Sequence, residues 1–350
     1  MARAEMVPDR VHLVGSIGLD SVEEVFRTVG KLLGKRLKRL PDGEVGGRRL
    51  WISWQYALLR ANPFLQVDPD GATRPSTGFR LFRMAEGVKG EDIHFGELGY
   101  AREARASYLD FLAARKRREI PAQTRFQVCL PTPLAVISAY VLPPDVAAVE
   151  RAYEKAMIGE VKAVCRGIPH KDLCIQWDVC NEMIMWDGQE TQMVPRHGLT
   201  EADLLASLKR ICAPVPKDVE LGIHLCYGDF DGKHFIEPQD ATKMVEFANA
   251  IARSVAHKLA YIHMPVPVAR TDDAFFRPLS GLKLPKGTEL YLGLVHAKDG
   301  AAGTKKRIAA ARRYAPSFGI ATECGMARAR TPAMVMELLR VHAAVSRPPA

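Results

Sequence analysis

Eight apolar runs of strand length recur along this chain with helix-period stretches between them, and that alternation leaves few folds open. The runs are Val11–Val14, Leu37–Leu40, Phe126–Leu130, Leu173–Trp177, Val219–Ile223, Leu259–Ile262, Leu290–Val295 and Phe318–Ala321. Amphipathic helices are expected over Ser21–Leu33, Asp145–Cys165, Glu201–Ile211, Ala241–Ala256, Thr304–Tyr314 and Pro332–Ala344. Apolar, β-branched strands alternating with helices specify a parallel sheet covered on both faces. Eight such units in one chain favour a closed (β/α)8 barrel over an open doubly wound sheet. A Gly-x-Gly-x-x-Gly turn is missing after the first run, where Gly15-Ser16-Ile17-Gly18 is the nearest approach, so a dinucleotide fold has little support. Residues 1–350 therefore read as one barrel domain. Residues 45–121 exceed an ordinary loop. With Trp51, Trp54, several prolines and a helix-like Tyr100–Arg117, they read as a largely helical insertion after the second strand, partly covering the barrel mouth.

Bulk properties exclude several classes. Hydrophobic content of 47% and charged content of 25% are ordinary for a globular protein. No window approaches the roughly 18 apolar residues of a membrane span. The opening Met-Ala-Arg-Ala-Glu lacks the apolar core of a secretory signal. Seven cysteines (Cys129, Cys165, Cys174, Cys180, Cys212, Cys226, Cys324) are scattered without disulfide spacing, which fits a cytoplasmic protein. The net charge of +9 raises nucleic-acid binding, but the basic residues are dispersed. The densest run, Arg115-Lys116-Arg117-Arg118, falls at an expected helix end, where cations suit the dipole. No nucleic-acid or membrane partner is expected; a homo-oligomer is compatible with the chain.

Catalytic groups of a barrel sit at the carboxyl ends of its strands. Those ends here carry Gly15-Ser16, Pro41-Asp42-Gly43-Glu44, Pro131-Thr132, Asp178-Val179-Cys180-Asn181-Glu182, His224-Leu225-Cys226, His263, His296 and Glu323-Cys324. So many titratable groups closing apolar strands point to an enzyme. His224 and Cys226 present two zinc-type donors from one strand end, and Cys324 can supply a third. Three protein ligands with one variable position is the pattern of catalytic zinc, whereas structural sites have four. The same residues also read as a buried histidine and two packed thiols.

These landmarks, in this order, resemble the catalytic half of cobalamin-independent methionine synthase and its short single-barrel relatives, from the first strand to Arg330. The resemblance implies that His224, Cys226 and Cys324 are zinc ligands. It places Ser16, Glu44 and Asp178 where the family holds an amino-acid thiol. His263 stands at the family's glutamate ligand and is a possible fourth ligand; His296 stands where an aspartate is expected. Exchanging a carboxylate for a neutral imidazole would make the zinc site less negative and a stronger Lewis acid.

The expected function is zinc-dependent methyl or alkyl transfer to or from a small thiol, taken from an alkyl donor. In it His224, Cys226, Cys324 and possibly His263 hold Zn2+, Ser16, Glu44 and Asp178 bind substrate, and His296 moves the proton with Asp178 in the catalytic set. One alternative is a metal-free lyase or decarboxylase in which Arg48, Arg328 or Arg330 clamps carboxylates. Another is a non-catalytic binder with a degenerate pocket.

Overall fold

The apolar runs from Leu37 onward pair side by side, all in parallel. The computed structural model describes residues 7–75, 77–189, 191, 194–195, 197–229 and 232–349. The first five residues, read above as lacking a signal core, lie outside it.

After α1 (Val22–Leu33) and β1 (Arg39–Pro41) come α2 (Tyr56–Ala61), a ribbon of β2 (Leu65–Val67) and β3 (Phe82–Met84), and α3 (Tyr100–Lys116). The chain continues through β4 (Arg125–Pro131), α4 (Pro133–Tyr140), α5 (Val146–Gly167), β5 (Leu173–Val179), α6 (Asn181–Asp187) and α7 (Glu201–Cys212). Next come β6 (Glu220–Leu225), α8 (Thr242–Ser254), β7 (Leu259–Pro265) and α9 (Asp273–Phe276). It ends with β8 (Glu289–Val295), α10 (Gly300–Arg312), β9 (Gly319–Thr322) and α11 (Pro332–Val345). Strands β1, β4, β5, β6, β7, β8 and β9 form one curled parallel sheet in that order. Strands β2 and β3 pair antiparallel, apart from it. Every residue of β5 is buried, as expected for a parallel strand covered on both faces.

The first apolar run departs from expectation. Val11 bridges Leu37 on one edge of the sheet and Ile320 on the other, and Ser16 and Ile17 bridge Gly43 and Met326. Between those points the segment is not a ladder strand, and side chains explain why. Gln127 Nε2 donates to Leu13 O at 2.9 Å and Gln176 Nε2 to Val14 O at 2.5 Å. Those carbonyls thus find partners across the interior of the curl rather than along its edge.

A buried ion cluster closes the amino-terminal end of the sheet. Arg39, 5% exposed, reaches Glu220 at 2.5 Å and Glu289 at 2.9 Å, residues that begin β6 and β8. Its guanidinium lies 4.7 Å from the centroid of the Tyr261 ring. A closed amino end leaves the carboxyl end as the way in. Residues 45–121 combine α2, the β2–β3 ribbon, α3 and several single turns of 3-10 helix. Among the described residues no helix is long and apolar enough to cross a membrane.

Candidate metal centre and its cavity

His224 and Cys226 lie at the end of β6, where the buried stretch Leu221 to Leu225 delivers them to the carboxyl face. Cys324 follows β9 by two residues. One donor atom from each of the three falls within 4.8 Å of the others, all three residues being buried. The two sulfurs are 3.7 Å apart. Two sulfurs each about 2.3 Å from a tetrahedral ion would stand roughly 3.8 Å apart, so the pair is spaced to bind one. Cys180, which follows β5 as Cys226 follows β6, and burial push the Cys226 thiol well up, outweighing the opposing hydrogen bonds from Cys324 and Gly228 N. Cys226 and burial do the same to Cys324. A divalent cation is what would favour the two thiolates here.

The histidines settle which nitrogen faces this cluster. His263 Nε2 donates to Thr322 O at 3.1 Å, which leaves His263 Nδ1 as an acceptor. His224 Nδ1 lies 2.7 Å from it and donates. The remaining His224 atom, Nε2, is buried, carries a lone pair and has no partner. Burial holds His263 neutral, its pKa down to about 3, and with the nearby His263 keeps His224 well below the usual range. Both nitrogens of His263 are thus engaged, and the cluster of three donors lies beside it. The donor set fits a soft divalent ion: two thiols, one bare imidazole nitrogen and an ordered residue behind it.

The cluster opens into a cavity of about 280 Å³. Ser16, Glu44, Asp178, His224, Cys226 and Cys324 all line it, so the structure gathers most of the expected site residues. Glu44 is set by a tight turn. Asp42 Oδ1 accepts from Glu44 N at 3.0 Å, while its Oδ2 accepts from Arg48 at 2.7 Å and from Ser107 at 2.7 Å. Gly43, at φ +80, gives that turn its shape, and a Cβ there would meet Val25 at 2.8 Å. Burial raises the Asp42 pKa, but Arg48 and the two hydrogen bonds outweigh it and hold the group low. Glu44 goes the other way, pushed up by burial and by Asp178. Asp178 is raised by burial too, although Gln176 donates to its Oδ1 at 2.8 Å and the Trp51 side chain hydrogen-bonds it. The two carboxyl groups titrate as a pair.

His296 is not among the residues lining the cavity. Its Nε2 donates to Val266 O at 2.8 Å, its Nδ1 lies 3.8 Å from Glu323, and burial, then Arg307, lowers its pKa to about 3. Arg328 lines the cavity instead, with Nη2 3.4 Å from Cys324 Sγ and Nε donating to Asp229 O. Arg330 pairs with Asp229 at 2.9 Å and Arg48 with Asp42, so these arginines are already compensated. Trp51 and Arg74, brought to the cavity by the 45–121 segment, were not expected as site residues from sequence. Three residues on the cavity wall, Glu44, Trp51 and Ala329, have left-handed φ of +49, +56 and +50. Such backbone is costly for non-glycine residues and gathers at functional sites.

No protein-family model matches this chain, and no curated protein matches its sequence. Solved structures do match. One is a Listeria monocytogenes protein assigned as a vitamin-B12-independent methionine synthase. It is 13% identical, with 98% of each chain covered and a TM-score of 0.57. Another is a B12-independent methionine synthase from Shewanella sp. W3-18-1, also 13% identical. That match covers 97% of this chain and 96% of the other, with a TM-score of 0.61. At such identity the likeness establishes a shared fold over nearly the whole chain.

Proposed function

We propose that this chain is a zinc-dependent transferase that moves a methyl or larger alkyl group to or from a small thiol. The observation that carries this reading is the unpartnered Nε2 of His224 beside the thiols of Cys226 and Cys324 at the base of a substrate-sized cavity. Those three residues would hold the ion. Bound there, zinc supplies Lewis acidity that favours the ionised form of a substrate thiol. His263 acts as a positioning residue, fixing the His224 tautomer. The fold shared with a methionine synthase and with a protein assigned as one supports the reading, and the Shewanella protein was captured with selenomethionine, a selenium analogue of a thioether amino acid.

The remaining residues bind and move protons. Glu44 and Asp178, with raised pKa values and one cavity between them, would take an ammonium or hydroxyl group of the substrate and hold the proton that the reaction requires. Ser16 would meet a carboxylate. His296, outside the cavity, would keep Glu323 in place. The same reading treats 11–17 as the eighth strand of a (β/α)8 barrel, supported by its bonds to both sheet edges, with 45–121 inserted over the mouth.

Elemental analysis of freshly purified protein beside Cys324→Ser tests this directly. Near-stoichiometric zinc that the substitution removes is expected. Zinc missing from both, even after reconstitution, would sink the proposal.

A further inference from the structure

Ser53, Arg74 and Thr77 bring a second kind of chemistry to the wall of the same cavity. Arg74 stands 5.0 Å from the Tyr140 ring centroid, and its Nε is buried without a hydrogen-bond partner. No carboxylate among the described residues forms an ion pair with it, whereas Arg48, Arg328 and Arg330 all have an aspartate.

The two hydroxyls beside it each already accept one hydrogen bond. Tyr140 Oη donates to Ser53 Oγ at 3.4 Å, which makes Ser53 an acceptor there and leaves its own proton free to donate. Phe79 N donates to Thr77 Oγ1 at 3.3 Å, with the same result. A guanidinium and two hydroxyls that each keep a proton to donate, with no acid among them, form a cationic, donor-rich patch.

We infer that Arg74, Ser53 and Thr77 form an anion subsite, which binds a carboxylate, sulfonate or phosphate group carried by one of the two substrates. The planar fork of arginine suits two oxygens of such a group, and each hydroxyl can donate to a remaining lone pair or, on a sulfonate or phosphate, to a third oxygen. The subsite rests on the cavity being the substrate site, but it does not need zinc. The 45–121 segment thereby contributes to recognition as well as covering the cavity.

Titration of metal-free, full-length protein with inorganic phosphate, followed by phosphorus NMR, tests the subsite independently of the metal. Wild type should bind phosphate, and Arg74→Met should weaken binding by about tenfold or more. Ser53→Ala should weaken it less, and Arg340→Met, at an exposed helix position, should leave it unchanged. If wild type does not bind phosphate, or Arg74→Met binds it equally well, the subsite is overturned whatever the zinc analysis shows. Zinc-loaded protein then identifies which substrate carries the anion. Preference for 3-mercaptopropionate over 3-mercapto-1-propanol, erased by Arg74→Met, assigns it to the thiol. Equal binding of the two, with phosphate binding still dependent on Arg74, assigns it to the alkyl donor.

Discussion

His224 Nδ1 and His263 Nδ1 lie 2.7 Å apart, and the Thr322 carbonyl on the far side of His263 dictates that the proton between them belongs to His224. The free lone pair of His224 is therefore set three residues deep, from β9 through β7 to β6. His263→Gln should weaken zinc binding by about 10- to 100-fold while leaving one ion per chain at saturation. X-ray absorption on the wild-type zinc protein should count one imidazole; two would make His263 a ligand.

The Glu44–Asp178 pair gives a pH dependence whose sign can be worked out. Both groups have raised pKa values when folded, so the native state keeps protons that the unfolded state releases. Stability of metal-free protein therefore falls as pH rises from the unfolded carboxyl value, about 4, until both groups have ionised. Glu44→Gln should be more stable than wild type at pH 8, on the order of 1–3 kcal/mol. That advantage should disappear near the unfolded value. Urea denaturation at the two pH values measures both, and an equal difference at each would refute the cause assigned.

Arg39 separates fold from function. Replacing it by Met leaves Glu289 with Arg10 and Lys38 and Glu220 with Arg125, and Glu289 is held at a pKa of about 2, burial being outweighed by Arg39 and Lys38. Loss of one partner that leaves a buried charge uncompensated costs about 3–5 kcal/mol, and the remaining cations should keep the cost here below that. Zinc content should stay at the wild-type value, because the cluster closes the opposite end of the sheet. Denaturation and metal analysis on one preparation check both halves.

Gly222 lies two residues before His224, and a Cβ there would sit 2.0 Å from Tyr261 Cζ. Gly222→Ala should destabilise by about 1–3 kcal/mol, since the ring has to move. Tyr261 Oη donates to Gln176 Oε1 at 2.7 Å, and Gln176 holds Asp178. The substitution should therefore also raise the KM for a thiol substrate. A stability loss with KM unchanged would break that connection.

Strand ends carried most of what was legible in the sequence. Apolar runs place the next polar residue at the carboxyl face, and so Ser16, Glu44, Asp178, His224, Cys226 and Cys324 were found and do line one cavity. For His263 and His296 the same rule reaches less far. It gives the position of a ring but not which of its nitrogens a carbonyl will take, and Thr322 and Val266 took one each. The 11–14 run was expected as an ordinary strand because nothing local reveals that glutamines on β4 and β5 will bond its carbonyls. Trp51 and Arg74 depend on how a long segment folds back over the sheet, so no nearby pattern marks them. Helix α10 begins at Gly300, one turn before the expected Thr304, because Asp299 and the residues after it continue the turn without an apolar signal.

Gln176 joins two features that are usually separate. One amide nitrogen reaches Val14 O on the seam where the sheet meets its first segment, and also Asp178 in the cavity. Loosening of the seam and misalignment of the carboxylate are then a single event. On gentle warming, catalysis should fade before helix content does, so a residual-activity curve would lie to the left of the unfolding curve. The temperature range of the proposed activity would be set by this one edge rather than by the melting of the whole molecule.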